Sequence, residues 1–431
     1  MKRIVIATGI ALSSLSVSAA DLLSLYQQAQ DSDPQILAAR ATRDAGYEVR
    51  PQAKAGLLPN ISLSGDLSYQ KQDILTSPSI DQNFSSSALA LRVVQPLFRK
   101  DRSIAVDQAD DQVAQADSEY NAAKQALMLR IAQAYFGVLA AQDSQTFAQT
   151  EKKAIARQLD QAQQRFDVGL VAITDVHEAQ ARFDLARANE ITAENSLGNA
   201  WESLREIIST SPSSLSDMRL DVPLVAPQPA SLDEWSTIAQ KNNPTIRSAS
   251  LAADIARKQI DVRYAGHYPS LDVVAALSRS RSGSTVVSDV NSGSIGLQLA
   301  VPLYSGGSVN SATRQARHLL TASQQGLDQQ RRSVDRQVRN AYRGVQSNIS
   351  RISALKAAQV SAQSALEATE AGFDVGTRTL VDVLNSQRDL FRAKRDFAQS
   401  RYDYVLNTLS LLQAAGTLTV EDMQRVNGWL N

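Results

Sequence analysis

The chain carries one long unit twice. Ala134-Tyr135-Phe136-Gly137-Val138 returns as Ala341-Tyr342-Arg343-Gly344-Val345, and Phe166-Asp167-Val168-Gly169 as Phe373-Asp374-Val375-Gly376, each 207 positions later. Thr174-Asp175-Val176 is echoed by Val381-Asp382-Val383 at the same offset. Asp33-Pro34 and Leu58-Pro59 recur as Asn243-Pro244 and Tyr268-Pro269, offset by 210, and Gln95-Pro96-Leu97-Phe98 as Val301-Pro302-Leu303-Tyr304, offset by 206. A period this long is not a solenoid, whose units run ~20–50 residues. It demands two large, similar halves, at 21–226 and 227–431, in quasi-symmetric positions.

The first twenty residues read as a secretory signal, with Lys2-Arg3 as the charged start, Ile4 to Val17 as the apolar stretch and Ser18-Ala19-Ala20 as the cleavage site. Asp21 is then the first mature residue. The apolar run is shorter than the ~20 residues that a spanning helix needs, and no later segment is long and apolar enough. The 44 basic and 44 acidic residues balance, and loss of Lys2 and Arg3 leaves a slightly acidic chain. That gives no support to a nucleic-acid partner, which normally leaves a basic excess. There is no cysteine, so disulfides, thiolate metal sites and a lipidated N-terminal cysteine are excluded.

Four segments alternate with period two. Ile61, Leu63, Leu67 and Tyr69 oppose Ser62, Ser64, Asp66 and Ser68; Leu89, Leu91 and Val93 alternate around Ala90 and Arg92. Leu271, Val273, Ala275 and Leu277, and then Ile295, Leu297, Leu299 and Val301, do the same in the second half. Such segments suit either soluble hairpins with one face on a core or the ~9–11-residue strands of a transmembrane barrel. The Ser/Asn/Gly-rich stretches Gln70 to Ser86 and Arg279 to Gly293 read as the exposed loops between them. Four strands cannot close a barrel, and lipid does not tolerate an open edge, so a membrane location requires several chains to share one barrel. Three chains supply twelve strands and room for a channel. Tyr264 and Tyr268, just before a strand, are either interfacial anchors or packing residues.

Between the strand pairs run long segments free of proline. From Arg102 to Phe166, Val106, Val113, Tyr120, Leu127 and Ala134 recur every seven residues, with Ala109, Ala116 and Ala123 in the complementary seam. That predicts a coiled-coil helix of about 97 Å with small residues at its contacts. A partner helix follows from Asp175 to Ile208, and the second half repeats the pair over Val309 to Phe373 and Leu380 to Ala414. Helices over Pro34 to Gly56 and Pro244 to Gly266 start at a proline behind Asp33 or Asn243, a cap-and-start signal. The polar off-seam positions fit an ordinary solvated coiled coil or a helical wall wetted on both sides.

With these elements in place, the sequence resembles the TolC family of outer-membrane efflux proteins over nearly all of Asp21 to Leu418. The resemblance is carried by Arg165-Phe-Asp-Val-Gly-Leu-Val-Ala-Ile-Thr-Asp-Val176, by Val375-Gly-Thr-Arg-Thr-Leu-Val-Asp-Val383 and by Gly416-Thr-Leu. It implies a mainly α fold with a transmembrane β section. A long coiled-coil helical barrel joins an outer-membrane β-barrel shared by three chains, with four strands per chain. It implies a homotrimer in the outer membrane of a Gram-negative bacterium, in contact with outer-membrane lipid and extending into the periplasm. Its partners would be a periplasmic adaptor and an inner-membrane pump of RND, ABC or MFS type, and the chain would be a passive conduit for efflux and type I secretion.

The same resemblance places a gate at the two Val-Gly turns. Thr174 and Asp175 match the gate partners on one hairpin, and Arg378 matches the gate arginine on the other. Asp382 matches an acidic ring that narrows the pore. Val168, Gly169, Leu170, Val375, Gly376 and Thr377 would form the adaptor-docking tips. In two places the chain departs from the pattern: the family's gate tyrosine is Phe373, so a hydroxyl bond toward Asp175 cannot form, and a second ring position is Asn385. Both changes predict a gate more weakly latched and less cation-binding.

No paired-carboxylate site, nucleophile motif, phosphate loop or zinc signature occurs, so the expectation is a chain without catalysis, cofactor or bound metal; His177, His267 and His318 are scattered. Two other readings stay open: a channel of the same fold dedicated to metal ions or a single substrate, and a periplasmic adaptor. An adaptor would show one coiled-coil hairpin flanked by lipoyl-like halves, and this chain shows two hairpins and two strand pairs.

Overall fold

The computed structural model describes residues 19–74, 80–283 and 289–431. All but the last two residues of the expected leader, and the middle of each expected strand-connecting loop, lie outside them. In the first half, α1 (Leu22–Ser32), α2 (Pro34–Tyr47) and α3 (Val49–Ala55) lead to strands β1 (Asn60–Ile74) and β2 (Ile80–Phe98) and helices α4 (Lys100–Asp167) and α5 (Ile173–Ile208). The order then recurs as α6 (Leu232–Asn242), α7 (Pro244–Tyr264), β3 (Ser270–Ser282), β4 (Asp289–Ala300), α8 (Ser308–Asp374) and α9 (Leu380–Ala415), with α10 (Val420–Asn427) closing the described chain. None of the described helices is long and apolar enough to cross a membrane.

The strands form one antiparallel sheet in the order β1-β2-β3-β4. Its register aligns the sequence alternation across all four strands. Ile61, Val93, Ala275 and Ile295 form one row, and Ser64, Ala90, Ser278 and Ser292 a row of the opposite parity. A slip of one residue would mix the two faces, so the alternation itself fixes the pairing. The apolar face is bare at the outer strands, with Leu67 of β1 82% exposed and Ile295 of β4 79%, while Val93 and Ala275 between them are partly covered. The ladders run further than expected, since β1 reaches Ile74, β2 starts at Ile80, β3 ends at Ser282 and β4 starts at Asp289. The stretches read as loops are polar but paired. Ser68 and Ser86 share a hydroxyl hydrogen bond of 2.8 Å, and Arg281 meets Asp289 at 3.1 Å. Such cross-strand polar pairs hold a strand as well as apolar ones do.

The chain forms two compact units, each drawing segments from both sequence halves. One unit, residues 38–122 and 240–335, holds the sheet and the helical segments next to it. Its helices are joined by small and polar contacts. A Cβ added to Gly46 would lie 2.7 Å from that of Ala116, Gln108 donates to Gln259 at 3.1 Å, and Lys258 pairs with Asp111 at 2.7 Å. Ala116, one of the small seam residues read from the heptads, is therefore a point of close approach between α2 and α4.

The other unit takes in residues up to 37, 123–239 and 336–431. Here the duplicated Ala-Tyr pair has a visible purpose. Tyr135 donates its hydroxyl to the Ser216 carbonyl at 2.7 Å, and its twin Tyr342 donates to the Ala230 carbonyl at 2.6 Å. Each tyrosine ties a connecting segment to a long helix. The caps repeat as well: the backbone N–H of Ile36 donates to Asp33 Oδ2 at 3.0 Å, and that of Ile246 to Asn243 Oδ1 at 3.3 Å. Asp33 also pairs with Arg130.

The helix bounds differ from expectation in a few places. The span from Pro34 to Gly56 breaks between Tyr47 and Val49, and α7 tightens into a 3-10 turn over Ala265–His267. The short helices α1, α6 and α10 were not anticipated. Each is about three turns or fewer and is held by packing, as with Leu22, Leu25, Tyr26 and Ala29 along the buried face of α1. Tyr264 and Tyr268 are both half exposed and meet edge to face at 6.0 Å.

Candidate functional site: the two hairpin tips

The two longest helices, α4 and α8, end in the same way. The N–H of Gly169 donates to the Phe166 carbonyl and that of Leu170 to the Arg165 carbonyl, both at 2.8 Å. The N–H of Gly376 donates to the Phe373 carbonyl at 3.0 Å and that of Thr377 to the Gly372 carbonyl at 2.8 Å. These are two Schellman stops, and both need a left-handed residue, supplied by Gly169 at φ 76° and Gly376 at φ 78°. The turns throw the flanking apolar side chains outward. Val168 is 70% exposed, Leu170 74% and Val375 76%. Thr377 keeps its hydroxyl on the Gly372 carbonyl at 3.0 Å.

The second helix of each hairpin starts differently. At α9, Thr379 and Asp382 form a capping box. The Thr379 oxygen accepts from the Asp382 N–H at 3.2 Å, while Asp382 Oδ2 accepts the Thr379 N–H at 2.9 Å and its hydroxyl at 2.8 Å. The Thr379 backbone N–H, then its hydroxyl, and to a lesser degree the nearby Arg378 charge hold the Asp382 carboxyl below the usual carboxylate range. At α5 the equivalent cap position is Ala172, in the same extended conformation but without a side-chain bond. The helix therefore begins at Ile173, two residues before the expected start at Asp175, and exposed Thr174 lies inside its first turn. Asp175, the counterpart of Asp382, makes no side-chain hydrogen bond or ion pair among the described residues.

Below the tips, Phe373 is half-buried between two apolar clusters. One contains Ile155, Ala162, Val176, Ala179, Ala186, Leu380 and Leu384, and the other Leu366, Val383 and Leu390. The expected gate residues are thus gathered at one end of the hairpins but not bonded to one another within the chain. Arg378 is exposed and makes no side-chain hydrogen bond or ion pair among the described residues, though its charge acts on Asp382. Asn385 accepts a hydrogen bond from Arg182 at 3.2 Å, which links α5 to α9.

The sequence reading missed three residues here. Arg182 is the partner of Asn385. Gly372 leaves room for the second tip's side chains, since a Cβ on it would lie 2.8 Å from Arg378 Cγ and 3.2 Å from the Thr377 hydroxyl. Arg165 places its guanidinium over the Phe373 ring, 4.5 Å from the centroid, with Nη2 3.4 Å from Asp374 Oδ1. Arg165 and Gly372 are themselves duplicates at the 207 offset, so comparing the halves for differences would have marked both.

Known proteins match this arrangement along its whole length. The outer membrane efflux protein family matches residues 25–210 and 235–417. The outer membrane protein TolC of Vibrio cholerae is 40% identical over 422 residues, covering 97% of this chain and 95% of the relative. The alkaline protease secretion protein AprF of Pseudomonas aeruginosa is 32% identical, with 94% of this chain and 86% of the relative covered. The crystal structure of the Campylobacter jejuni CmeC outer membrane channel superposes with a TM-score of 0.80 at 15% identity, over 100% of this chain and 98% of that one. The chain belongs to the outer membrane efflux protein family.

Proposed function

We propose that three copies of this chain close one outer-membrane barrel and form a passive conduit across the periplasm, used in efflux and type I secretion and gated at the hairpin tips. The open sheet carries this reading. Strands β1 and β4 end the order β1-β2-β3-β4 with no further strand beside them among the described residues, and their apolar residues, such as Leu63, Leu67, Ile295 and Leu297, are exposed. An unpaired edge cannot remain in hydrocarbon, so further copies must complete the ring. The energy comes from an inner-membrane pump, joined through a periplasmic adaptor that docks on Val168, Gly169, Leu170, Val375, Gly376 and Thr377. The secretion role of AprF and the efflux family description support both uses.

In this reading Arg378 of one chain meets Thr174 and Asp175 of a neighbouring chain, side chains that make no hydrogen bond or ion pair within one copy among the described residues. Asp382, with Asn385 a turn further along α9, lines the narrowed entrance. Exposed ion pairs contribute ~0.2–1 kcal/mol each, so three Arg378 links hold the entrance closed by about 0.6–3 kcal/mol, roughly three- to 150-fold in the closed-to-open ratio. The test is single-channel conductance in planar bilayers, comparing the wild type with Arg378→Ser. A small conductance that rises in the variant supports the gate. Equal conductances would remove Arg378 from it, and folded protein without any channel would end the conduit reading.

A further inference from the structure

We propose that Arg165 is a latch residue of the entrance, clasping the two hairpins of one chain together through the face of Phe373. The proposal rests on the gated-conduit reading. Arg165 lies in the last turn of α4, on the first hairpin, where a cation is favoured by the helix dipole. Phe373 and Asp374 end α8, on the second hairpin. The guanidinium stands 4.5 Å from the Phe373 centroid, within the range of a cation–π contact, and its Nη2 reaches toward Asp374 Oδ1 at 3.4 Å.

At the third residue from the end of such a helix stop, a side chain usually packs on the residue just beyond the turn. Arg165 instead crosses to the other hairpin. Its duplicate is Gly372, which has no side chain to send back and is covered by Arg378. The two turns share a backbone, but only one carries a clasp, so each chain has one. The ring also ties the clasp to the interior, because Phe373 touches both apolar clusters beneath the tips. Opening the entrance by moving α8 and α9 away from α4 and α5 must lift Phe373 off Arg165. The loss of a phenolic hydroxyl at position 373 leaves this face contact untouched, so the entrance keeps an internal latch that needs only an aromatic ring.

A partly exposed contact of this kind holds the closed form by about two- to five-fold per chain, or about ten- to hundred-fold when three chains move together. The experiment is bilayer conductance of the purified full-length channel for Arg165→Met, Phe373→Leu, Phe373→Trp, Phe373→Tyr and the double variant Arg165→Met/Phe373→Leu, with Arg378→Ser alongside. Met keeps the Arg stem and Leu keeps the apolar filling, so heat-resistant trimer on gels reports folding separately. Arg165→Met and Phe373→Leu should raise conductance, Phe373→Trp and Phe373→Tyr should stay at the wild-type level, and the double variant should match either single one, because both remove the same contact. Two patterns overturn the latch while leaving the gate intact: Arg378→Ser opens the channel and Arg165→Met does not, or Phe373→Leu and Phe373→Trp behave alike. If Arg378→Ser also fails to open it, the gate reading falls, and the latch with it.

Discussion

The two hairpins contain an internal control for the role of Asp175. Thr379 caps α9 and draws Asp382 into a box; Ala172, at the same place in the duplicate, has no side-chain oxygen to offer. The backbones already agree. Thr379 sits at φ −93° and ψ 160°, and Ala172 at φ −79° and ψ 152°. The carboxylates also hold equivalent places, since the Asp175 N–H donates to the Ala172 carbonyl and the Asp382 N–H to that of Thr379, both at 3.1 Å. Ala172→Thr should therefore build the missing box without moving the turn. Position 172 is exposed, so the added atoms meet no wall.

A threonine cap adds about 0.5–2 kcal/mol over alanine, typically ~1. In the proposed gate, a single Arg378 link to Asp175 would contribute ~0.2–1 kcal/mol. The box is therefore strong enough to hold Asp175 against its own helix and deprive Arg378 of its partner. The expected result is a paradox that few other mechanisms produce: the start of α5 becomes firmer while the entrance becomes looser. Hydrogen exchange should show slower exchange at the Asp175 amide. Single-channel conductance should rise toward that of Arg378→Ser, and combining the two substitutions should add nothing. Slower exchange with unchanged conductance would refute the argument, because Asp175 would then be occupied without consequence for the gate.

Other perturbations follow from the same geometry. Thr379→Ala should cost about 1 kcal/mol at the start of α9 and speed amide exchange over Leu380 to Val383. The depressed Asp382 carboxyl stabilises that start at neutral pH, and this contribution is lost as pH falls from the ordinary value of 3.8 through the depressed one; the variant lacks the hydroxyl's share of the depression, so the acid-dependent part of the loosening, followed by exchange, should be smaller in it. Gly372→Ala should displace Arg378, the Cβ arriving 2.8 Å from its Cγ, and raise conductance by less than Arg378→Ser does. Asp33→Ala removes a cap and strands Arg130, at a cost of about 3–5 kcal/mol read as a fall in Tm, whereas Asp33→Asn should keep the cap as Asn243 does. Burial raises the Asp143 carboxyl, against the lowering effect of the 2.7 Å bond donated by Tyr402, so its charged form opposes folding and stability declines as pH rises through the raised value. Asp143→Asn should flatten that slope, with a Tm at pH 8 equal to or above the wild type.

What could be read in advance was the part of the molecule that repeats. Periodicity located the four strands and four long helices because each buries or exposes a whole face over many residues, and the duplication supplied every such signal twice. The glycines of the turns were legible because a left-handed stop has few alternatives. The short helices α1, α6 and α10 escaped because about three turns hold by tertiary contact more than by pattern. The polar ends of the strands escaped because serine and asparagine in a ladder look like serine and asparagine in a loop. The candidate site was hidden for a different reason. A resemblance brought Thr174, Asp175, Phe373, Arg378, Asp382 and Asn385 into view, but not the contacts that set them apart. Those contacts lie where the copies disagree: Arg165 against Gly372, Val171 against Arg378, Ala172 against Thr379. The backbone accepts either residue at each of these places, since both hairpins close with the same bonds. Positions to which the fold is indifferent are the ones free to be specialised. In a duplicated chain the shared residues therefore describe the architecture, and the differences at equivalent turns are the first place to look for the gate.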